Sequence, residues 1–313
     1  MTAESSSVQL NEHLLTKIEK NRDDLNKVVR PSLTYWQDAW IKLRKNKIAT
    51  FSLALIVIYI CFAVLAPMVS AWDPASQNAD IMNQGPSSAH WFGTDPAGRD
   101  LWVRNWVGAR VSLFIGVVVV LINTAMGCLI GGISGYFGGK ADLVIMRIID
   151  VLYGIPMIIL AILMMVVFKP GVYTIILAMV SIGWIGSARM VRGQILSLKN
   201  SEFILAAKTL GAGNSRIIVR HLIPNIGGIL ITTMTMSIPN AIFVEAFLSF
   251  IGIGVQPPMC SWGSLAQLAN QVYQFYPYQL LIPAFFICTT VLAFNLLGDG
   301  LRDALDPRTR GSY

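Results

Sequence analysis

The stretch VSLFIGVVVVLINTAMGCLIGGISGYF, residues 111–137, contains no charged side chain and is long enough to cross a lipid bilayer as one helix. This region is rich in glycine, with Gly116, Gly127, Gly131, Gly132, Gly135, Gly138 and Gly139. Gly127 and Gly131 are four residues apart, a spacing that lets two membrane helices approach closely where packing replaces the hydrophobic effect. The close contact could lie within this chain or against a second subunit, and the sequence leaves both interpretations open.

Similar apolar runs recur along the whole chain. Of its 313 residues, 54% are hydrophobic and only 13% are charged, so the apolar segments cannot all be buried in one soluble core. Each run predicts a membrane-spanning helix, although the fourth is short and requires extension toward Met190. The sequence therefore predicts an all-α polytopic membrane protein with six transmembrane helices, at about 48–70, 111–137, 148–168, 172–185, 226–247 and 280–297.

The basic residues predict how these spans are oriented. Residues 1–31 are polar and lack the apolar core of a signal peptide, so we expect them to form a cytoplasmic tail. Six spans then return the C-terminus to the cytoplasm, and 20 of the 24 Lys and Arg residues fall on the cytoplasmic side. The net charge of +7 accordingly indicates contact with anionic membrane lipid, and nothing in the sequence indicates nucleic-acid binding.

The segments between the spans complete the predicted organisation. Residues 32–47 predict an amphipathic helix at the inner membrane interface, because aromatic and basic side chains lie side by side there. Its apolar face is expected to hold Tyr35, Trp36, Trp40 and Leu43. The other predicted parts are a first span at 48–70, an extracytoplasmic loop at 71–110, a core domain at 111–300 with a cytoplasmic loop at 189–225 and an extracytoplasmic loop at 248–278, and a cytoplasmic tail at 301–313.

Two outer segments carry signs of ordered structure. HWFGTDPAGRD at 90–100 combines glycines, a proline and paired aspartates, which is typical of an ordered loop. Residues 248–278 contain no charged side chain, which is unusual for a freely solvated loop. We expect a short helix at about 264–273 that folds against the spans and caps a cavity.

The predicted spans contain few groups that could carry ions or protons. Asp150 lies at a cytoplasmic end, where we expect it to pair with Arg147 at helical spacing. Glu245, near the outer end of the fifth span, is the acidic candidate for a gate or a ligand contact. The three histidines lie outside the spans and the four cysteines lack metal-ligand spacing, so we predict no metal site and no cofactor.

Catalytic motifs are also missing from the sequence. The nearest approach to a phosphate-binding loop is SGYFGGKAD at 134–142, which lacks the first glycine and the Ser or Thr that would follow Lys140. No nucleophile with a base, no pair of carboxylates and no Gly-x-Ser-x-Gly elbow stands out. We therefore predict that this chain is not an enzyme and does not bind ATP itself.

The stretch EFILAAKTLGAGNSRIIVRHLIPN, residues 202–225, interrupts the apolar pattern in the largest predicted cytoplasmic loop. Good helix formers run from Glu202, with Ala206 and Ala207 as a smooth face, until glycines permit a sharp turn. A second short helix is expected at 214–222, and Pro224 is expected to stop it. We predict a docking surface for another protein, formed by Glu202, Ala206, Ala207, Lys208, Gly211, Gly213, Arg216 and Pro224.

This stretch resembles the coupling loop of permease subunits in ATP-binding cassette (ABC) importers. That loop has the pattern Glu-Ala-Ala, three residues, Gly, nine residues, Ile, any residue, Leu, Pro. The two alanines, the glycine and the proline are present here as Ala206, Ala207, Gly211 and Pro224, whereas Leu205 stands in place of the glutamate. The positions of the isoleucine and the leucine hold His221 and Ile223.

Further stretches resemble, in the expected order, the second permease subunit of the oligopeptide, dipeptide and nickel importers. They are HWFGTDPAGRD (90–100), GARVSLFIG (108–116), EAFLSFIGIGVQPP (245–258), WGSLA (262–266) and NLLGDGLRDALDPR (295–308). The resemblance implies a type I ABC importer permease fold in the plasma membrane of a bacterium. It also implies a homologous second permease subunit, two cytoplasmic ATP-binding subunits, an extracytoplasmic solute-binding protein and a peptide substrate.

Three other functions are alternatives to peptide import. Peptide is favoured over nickel because no cluster of His, Cys or Met suggests metal selection, and a nickel or metal-chelate importer permease is the alternative. An ion-coupled secondary transporter is disfavoured by the nearly uncharged spans. A membrane scaffold or receptor without transport would leave the loop at 202–225 unexplained.

Overall fold

The computed structural model describes residues 34–306, so the predicted tail at 1–31 and the end of the tail at 301–313 lie outside the described residues. The chain divides into two compact units, Met1–Asp38, of which only 34–38 are described, and Ala39–Tyr313. Apart from one isolated bridge between Thr94 and Asp100, the regular elements of the described residues are helices. The predicted all-α fold class is confirmed.

The helices follow one another along the chain with short connections, except where residues 70–100 and 251–261 intervene. Residues 214–225 form one helical run, α8, in three segments: Asn214–Arg216, Ile217–Leu222 and Ile223–Asn225. The other helices are α1 (Tyr35–Lys45), α2 (Lys47–Val69), α3 (Leu101–Phe137), α4 (Gly139–Tyr153), α5 (Met157–Phe168), α6 (Val172–Leu198), α7 (Glu202–Thr209), α9 (Gly227–Phe250), α10 (Trp262–Asn270) and α11 (Pro277–Leu305).

Among the described residues, five helices are long and apolar enough to cross a membrane: α2, α3, α6, α9 and α11. The predicted third span, 148–168, is not one straight helix, because α4 and α5 meet at an angle of 81°. Pro156 explains the break, since it lacks a backbone N–H and disfavours helical geometry in the residue before it. Counted as one broken span, the α4–α5 pair gives the predicted total of six.

Several helices extend beyond the predicted spans, among them α3, α6 and α11. Helix α3 begins at Leu101, so residues 101–110, predicted as loop, are helical, and Asp100 caps the helix by accepting a hydrogen bond from the Val103 N–H at 2.9 Å. Helix α6 continues through 189–198, the first part of the predicted cytoplasmic loop. Helix α11 reaches Leu305. Hydropathy ended α3 and α6 early because their extensions carry charged side chains, and these find partners in the fold: Arg104 contacts Pro74 and Arg192 contacts Asp142.

Helix α3 packs along α6 at a distance that only glycine permits. A Cβ atom on Gly127 would lie 2.4 Å from Ser187 Cβ, and one on Gly131 would lie 2.3 Å from the Ala188 carbonyl oxygen. One turn further, a Cβ on Gly135 would lie 2.9 Å from the Arg192 carbonyl oxygen. The close contact predicted from the glycine spacing therefore lies within this chain.

The segment 71–100 is ordered, as predicted, through buried polar contacts. Asp95 accepts hydrogen bonds from the Arg99 backbone N–H at 3.0 Å and from Arg99 Nε at 2.7 Å. The second arginine, Arg104 on α3, is buried and donates from Nη1 to the Pro74 carbonyl oxygen at 2.8 Å. His90 Nδ1 lies 2.8 Å from Asp100 Oδ2. These contacts hold the segment against the N-terminal end of α3.

Residues 251–276 pack against the same end of α3, and we call them, together with 71–100, the cap. The predicted short helix is α10, which is largely buried against α3, α9 and α11. Its Trp262 is fully buried and donates from Nε1 to the Asn105 carbonyl oxygen at 3.1 Å. Burial raises the pKa of the Cys260 thiol, whose Sγ contacts the Arg104 carbonyl oxygen at 3.4 Å. The expectation that this segment folds against the spans is confirmed.

A proline in the first span is compensated by an arginine on α3. Pro67 lies inside α2 and has no N–H, so the carbonyl oxygen of Ala63, four residues earlier, loses its helical donor. Arg110 replaces that donor, with Nε at 3.1 Å and Nη2 at 3.0 Å from the Ala63 oxygen. A charged residue inside an apolar helix pair is therefore matched to a specific backbone acceptor.

The glycine packing predicts that alanine is destabilising at Gly131 but not at the adjacent Gly132. Gly131→Ala should lower the free energy of unfolding by roughly 1–3 kcal/mol, because the new methyl group meets the α6 backbone. The control is Gly132→Ala, which should leave stability nearly unchanged, because its Cβ would lie 3.4 Å from Ile218 Cγ2 and 3.8 Å from Ile195 Cδ1, at ordinary van der Waals distances. Thermal unfolding of the detergent-purified protein measures both, and equal stabilities of the two variants would contradict the packing.

A double-mutant cycle tests the pairing of Arg110 with Ala63. Arg110→Met should destabilise the protein by roughly 1–3 kcal/mol, because the Ala63 oxygen is left without a donor. In a Pro67→Ala background the helix supplies its own N–H, so the same substitution should cost about 1 kcal/mol less. Strict additivity of the two substitutions in denaturation experiments would refute this pairing.

Candidate functional site

Residues 202–225 fold into a helical hairpin made of α7, a turn at Gly211 and α8. Gly211 has a φ of 82°, a left-handed conformation that glycine adopts without strain. Ile204, Ile217 and Leu222 are fully buried and pack with α6 in one apolar cluster. The hairpin is therefore a folded part of the protein, at the end of α3 opposite the cap.

The last turn of α3 fixes the hairpin in place. The Tyr136 hydroxyl donates a hydrogen bond to Asn214 Oδ1 at 2.9 Å, and Lys208 Nζ lies 5.4 Å from the centre of the Tyr136 ring. Beside it, Lys199 Nζ donates to the Gly135 carbonyl oxygen at 3.1 Å. The hairpin is thus connected to the glycine-packed α3–α6 pair, and displacement of one entails displacement of the other.

Most of the predicted docking residues lie on the free surface of the hairpin. The exposed ones are Glu202, Ala206, Lys208, Gly211, Gly213, Arg216 and Pro224. Ala207, predicted to share the smooth face with Ala206, is only 9% exposed and belongs to the inner side. Successive residues of a helix point about 100° apart, so adjacent alanines cannot both lie at the centre of one narrow face.

Two leucines on this surface were not predicted. Leu205, at the position of the family's glutamate, is 51% exposed, and Leu210, at the tip beside Gly211, is 88% exposed. Both flank Ala206 along α7. The exposure of Leu210 could have been predicted from the sequence. Leu210 directly precedes the turn glycine Gly211, so no further helical turn follows against which it could pack. The free surface is consequently apolar and small at its centre, with charged residues around it.

Pro224 does not stop the second helix, contrary to the prediction. The backbone continues from Ile217–Leu222, which has π-helical hydrogen bonds, into Ile223–Asn225, where Pro224 occupies the first turn. Pro224 lies at the start of the third segment of α8, where the hydrogen-bond pattern of the run changes from π-helical to α-helical. Arg216 and Arg220 are exposed on α8, as expected from their spacing.

Two ion pairs connect the broken span to α6. Arg192 donates from Nε and Nη2 to the two carboxylate oxygens of Asp142 at 2.5 and 2.6 Å, and Ser134 Oγ donates to the same carboxylate. Asp150 pairs with Arg189 at 2.9 Å, so the prediction that it pairs with Arg147 is wrong. Because Arg189 lies on α6, this pairing depends on how α4 packs against that helix, which no sequence spacing could indicate.

Glu245, the predicted gate or ligand contact, is fully buried in α9. Its carboxylate accepts hydrogen bonds from Ser112 Oγ on α3 at 2.7 Å and from Ser249 Oγ at 2.8 Å. Ser112 Oγ in turn accepts from the Trp262 backbone N–H at 3.3 Å. In this structure Glu245 links α3, α9 and α10 and has no exposed surface for a ligand.

A cavity of about 450 Å³ lies between α3, the α4–α5 break, α6 and α9. Its walls combine apolar side chains, among them Val119, Met157, Met179 and Val244, with the ring and hydroxyl of Tyr153 and with the neutral polar side chains of Asn123, Thr124, Ser187, Ser237 and Asn240. No Asp, Glu, Lys, Arg or His lines it within residues 34–306. The cavity opens to the surface at Asn240 and Gly186, which are both exposed.

Charge within a span, the property that singled out Glu245, does not point to these residues, because all of them are neutral. Asn123 Oδ1 is buried without a hydrogen-bond partner, and its amide packs against Gly183, where a Cβ would lie 2.4 Å from Nδ2. An asparagine within an apolar run is itself a signal, since an amide is costly to place in hydrocarbon. Asn123 and Asn240 could therefore each have been predicted as functional residues, but the sequence does not show that they line the same cavity.

Comparisons with known proteins identify the type of chain. Residues 127–311 match the family described as "Binding-protein-dependent transport system inner membrane component", and residues 34–86 match "N-terminal TM domain of oligopeptide transport permease C". A chain in the solved inward-facing MetNI methionine ABC transporter aligns at a TM-score of 0.48 and 17% identity, covering 64% of this chain and 97% of that chain.

Curated relatives cover nearly the whole length. The Oligopeptide transport system permease protein OppC of Bacillus subtilis is 48% identical, over 93% of this chain and 95% of the relative. The Dipeptide transport system permease protein DppC of Bacillus subtilis is 49% identical, over 93% and 91%. OppC of Haemophilus influenzae is 39% identical, over 94% and 95%. This chain therefore belongs to the binding-protein-dependent transport system inner membrane components, among the OppC- and DppC-like permeases.

Proposed function

We propose that this chain is the second permease subunit of an ATP-driven importer of oligopeptides or dipeptides in a bacterial plasma membrane. It forms half of the translocation pathway and is not itself catalytic. The observation that carries the proposal is the hairpin at 202–225, which exposes a small apolar surface and is held by Tyr136 to the α3–α6 pair. The close similarity to oligopeptide and dipeptide permeases supports peptide as the substrate.

The hairpin is proposed to dock into a cytoplasmic ATP-binding subunit. Ala206 permits close approach, Leu205 and Leu210 supply apolar contact, and Glu202 and Arg216 lie at the margin. Nucleotide-driven closure of two such subunits would move the hairpin and, through α3 and α6, the walls of the cavity. With Leu205 in place of an acidic residue, docking depends more on shape and apolar contact than on an ion pair at that position.

The remaining partners follow from the two ends of the bundle. A homologous permease would complete the pathway, and an extracytoplasmic solute-binding protein would deliver the peptide at the cap. The proposed orientation, with the hairpin in the cytoplasm and the cap outside, agrees with the strong bias of Lys and Arg toward the hairpin side. The largely uncharged bundle suits a transporter whose energy comes from partner subunits.

Substitutions on the hairpin should uncouple transport. Ala206→Trp and Leu210→Asp should each lower ATP-dependent peptide uptake by the purified complex at least about tenfold. The indole ring blocks close approach at position 206, and the carboxylate at position 210 would have to lose its water in an apolar contact. The matched control is Ala141→Trp, the same substitution at an exposed site on α4, outside both the hairpin and the cap. Uptake and ATPase activity in proteoliposomes measure the effect, and undiminished coupling in both hairpin variants would exclude docking through this face.

Cysteine labelling tests the orientation. In a chain whose four cysteines are replaced, Ala75→Cys in the cap should react with a membrane-impermeant maleimide in intact cells. Ser215→Cys in the hairpin should react only after the membrane is permeabilised. The opposite pattern would reverse the proposed topology.

A further inference from the structure

We propose that the cavity between α3, α6 and α9 binds the backbone of the transported peptide through its uncharged amide and hydroxyl groups, and thereby passes peptides regardless of the charge of their side chains. The inference rests on the proposed peptide function. It assigns a role to Asn123, Thr124, Ser187, Ser237 and Asn240, which line the cavity.

Most of these groups have no hydrogen-bond partner among residues 34–306. Asn123 Oδ1 is buried and accepts no hydrogen bond. Among residues 34–306, the side chains of Thr124, Ser187 and Asn240 likewise make no hydrogen bond, whereas Ser237 Oγ donates to the Thr233 carbonyl oxygen at 2.7 Å. Unpaired amides and hydroxyls are costly in an apolar surrounding. Asn123 Oδ1 carries this cost, whereas Asn240 is exposed and Thr124 and Ser187 are partly exposed, so their side chains are open to a partner from outside this chain.

The five polar groups are arranged around one cavity. They come from three helices that are far apart in the sequence and converge on one concave space of about 450 Å³. That volume lies within the range of roughly 300–1,000 Å³ that is usual for small-molecule sites. Polar residues that form a contact between two subunits would instead lie along one exposed helix face and would not require a cavity. Convergence therefore favours a ligand over a second permease as the partner.

The hydrogen-bonding groups of the lining match those of a peptide backbone. A peptide backbone offers one N–H and one C=O at nearly every residue, and an asparagine side chain can both donate and accept. Hydroxyl groups also do both, whichever way the peptide is placed. The methionines Met157 and Met179 add a flexible apolar wall that accommodates side chains of different shape.

The absence of charge from the described lining is the feature that sets selectivity. A fixed carboxylate or ammonium group in this space would attract some peptides and repel others, because charges interact strongly where water is scarce. Neutral amides and hydroxyls bind the common backbone and leave side-chain charge undiscriminated. The cavity of this chain thus suits a transporter whose choice of peptide is made before the peptide reaches it.

The test introduces charge without changing shape. In proteoliposomes holding the complete transporter, uptake is measured for peptides of one length that differ only in carrying Glu, Gln or Lys. Asn240→Asp and Asn123→Asp should each lower the ratio of acidic to basic peptide uptake by about tenfold relative to wild type. Asn240→Ser, which stays uncharged, and Asn200→Asp, at an exposed site outside the cavity, should leave this ratio unchanged.

Three results would overturn the inference, and they are distinguishable. An unchanged ratio in both aspartate variants would show that peptides do not pass near these groups. Equal loss of uptake for all peptides, together with loss of the second permease on purification, would assign the groups to the contact between subunits. A wild-type complex that imports no peptide at all would instead refute the proposed function, and the inference would fall with it.

Discussion

The backbone contact between α3 and α6 is the constraint on which the rest of the structure depends. Three glycines, one turn apart, remove every side chain from one stripe of α3, so the α6 backbone lies directly against it. Within a bilayer, close packing of this kind supplies the association energy that the hydrophobic effect cannot. Because the pair extends from the cavity to the hairpin, it holds both in one rigid framework.

Polar side chains on the membrane helices fall into two classes. Arg110 and Glu245 are paired within the chain, the first with the carbonyl oxygen freed by Pro67 and the second with two serine hydroxyls. Asn123 and Asn240 have no such partner among the described residues. The first class stabilises the fold, and the second is the one that a transport mechanism can use.

Predictability differed between local and distant features for a physical reason. The all-α class, most spans and α10 followed from apolar runs and from the missing charge at 248–278. The break at Pro156 was visible in the sequence, but one proline hardly changes the mean hydropathy of a segment long enough to span the membrane. The start of α3 at Leu101 was missed because the burial of Arg104 depends on residues of the cap.

The sequence by itself determined which segments are apolar enough to enter the membrane, that a close helix contact exists at the glycines, and that the coupling pattern is present. These properties depend on composition and short spacing along one element. Only the tertiary structure decided that the glycines face α6, that Ala206 is exposed while Ala207 is buried, and that Asn123 and Asn240 share a cavity. Each of these depends on the relative rotation of helices distant in the chain, which is set by packing against neighbours.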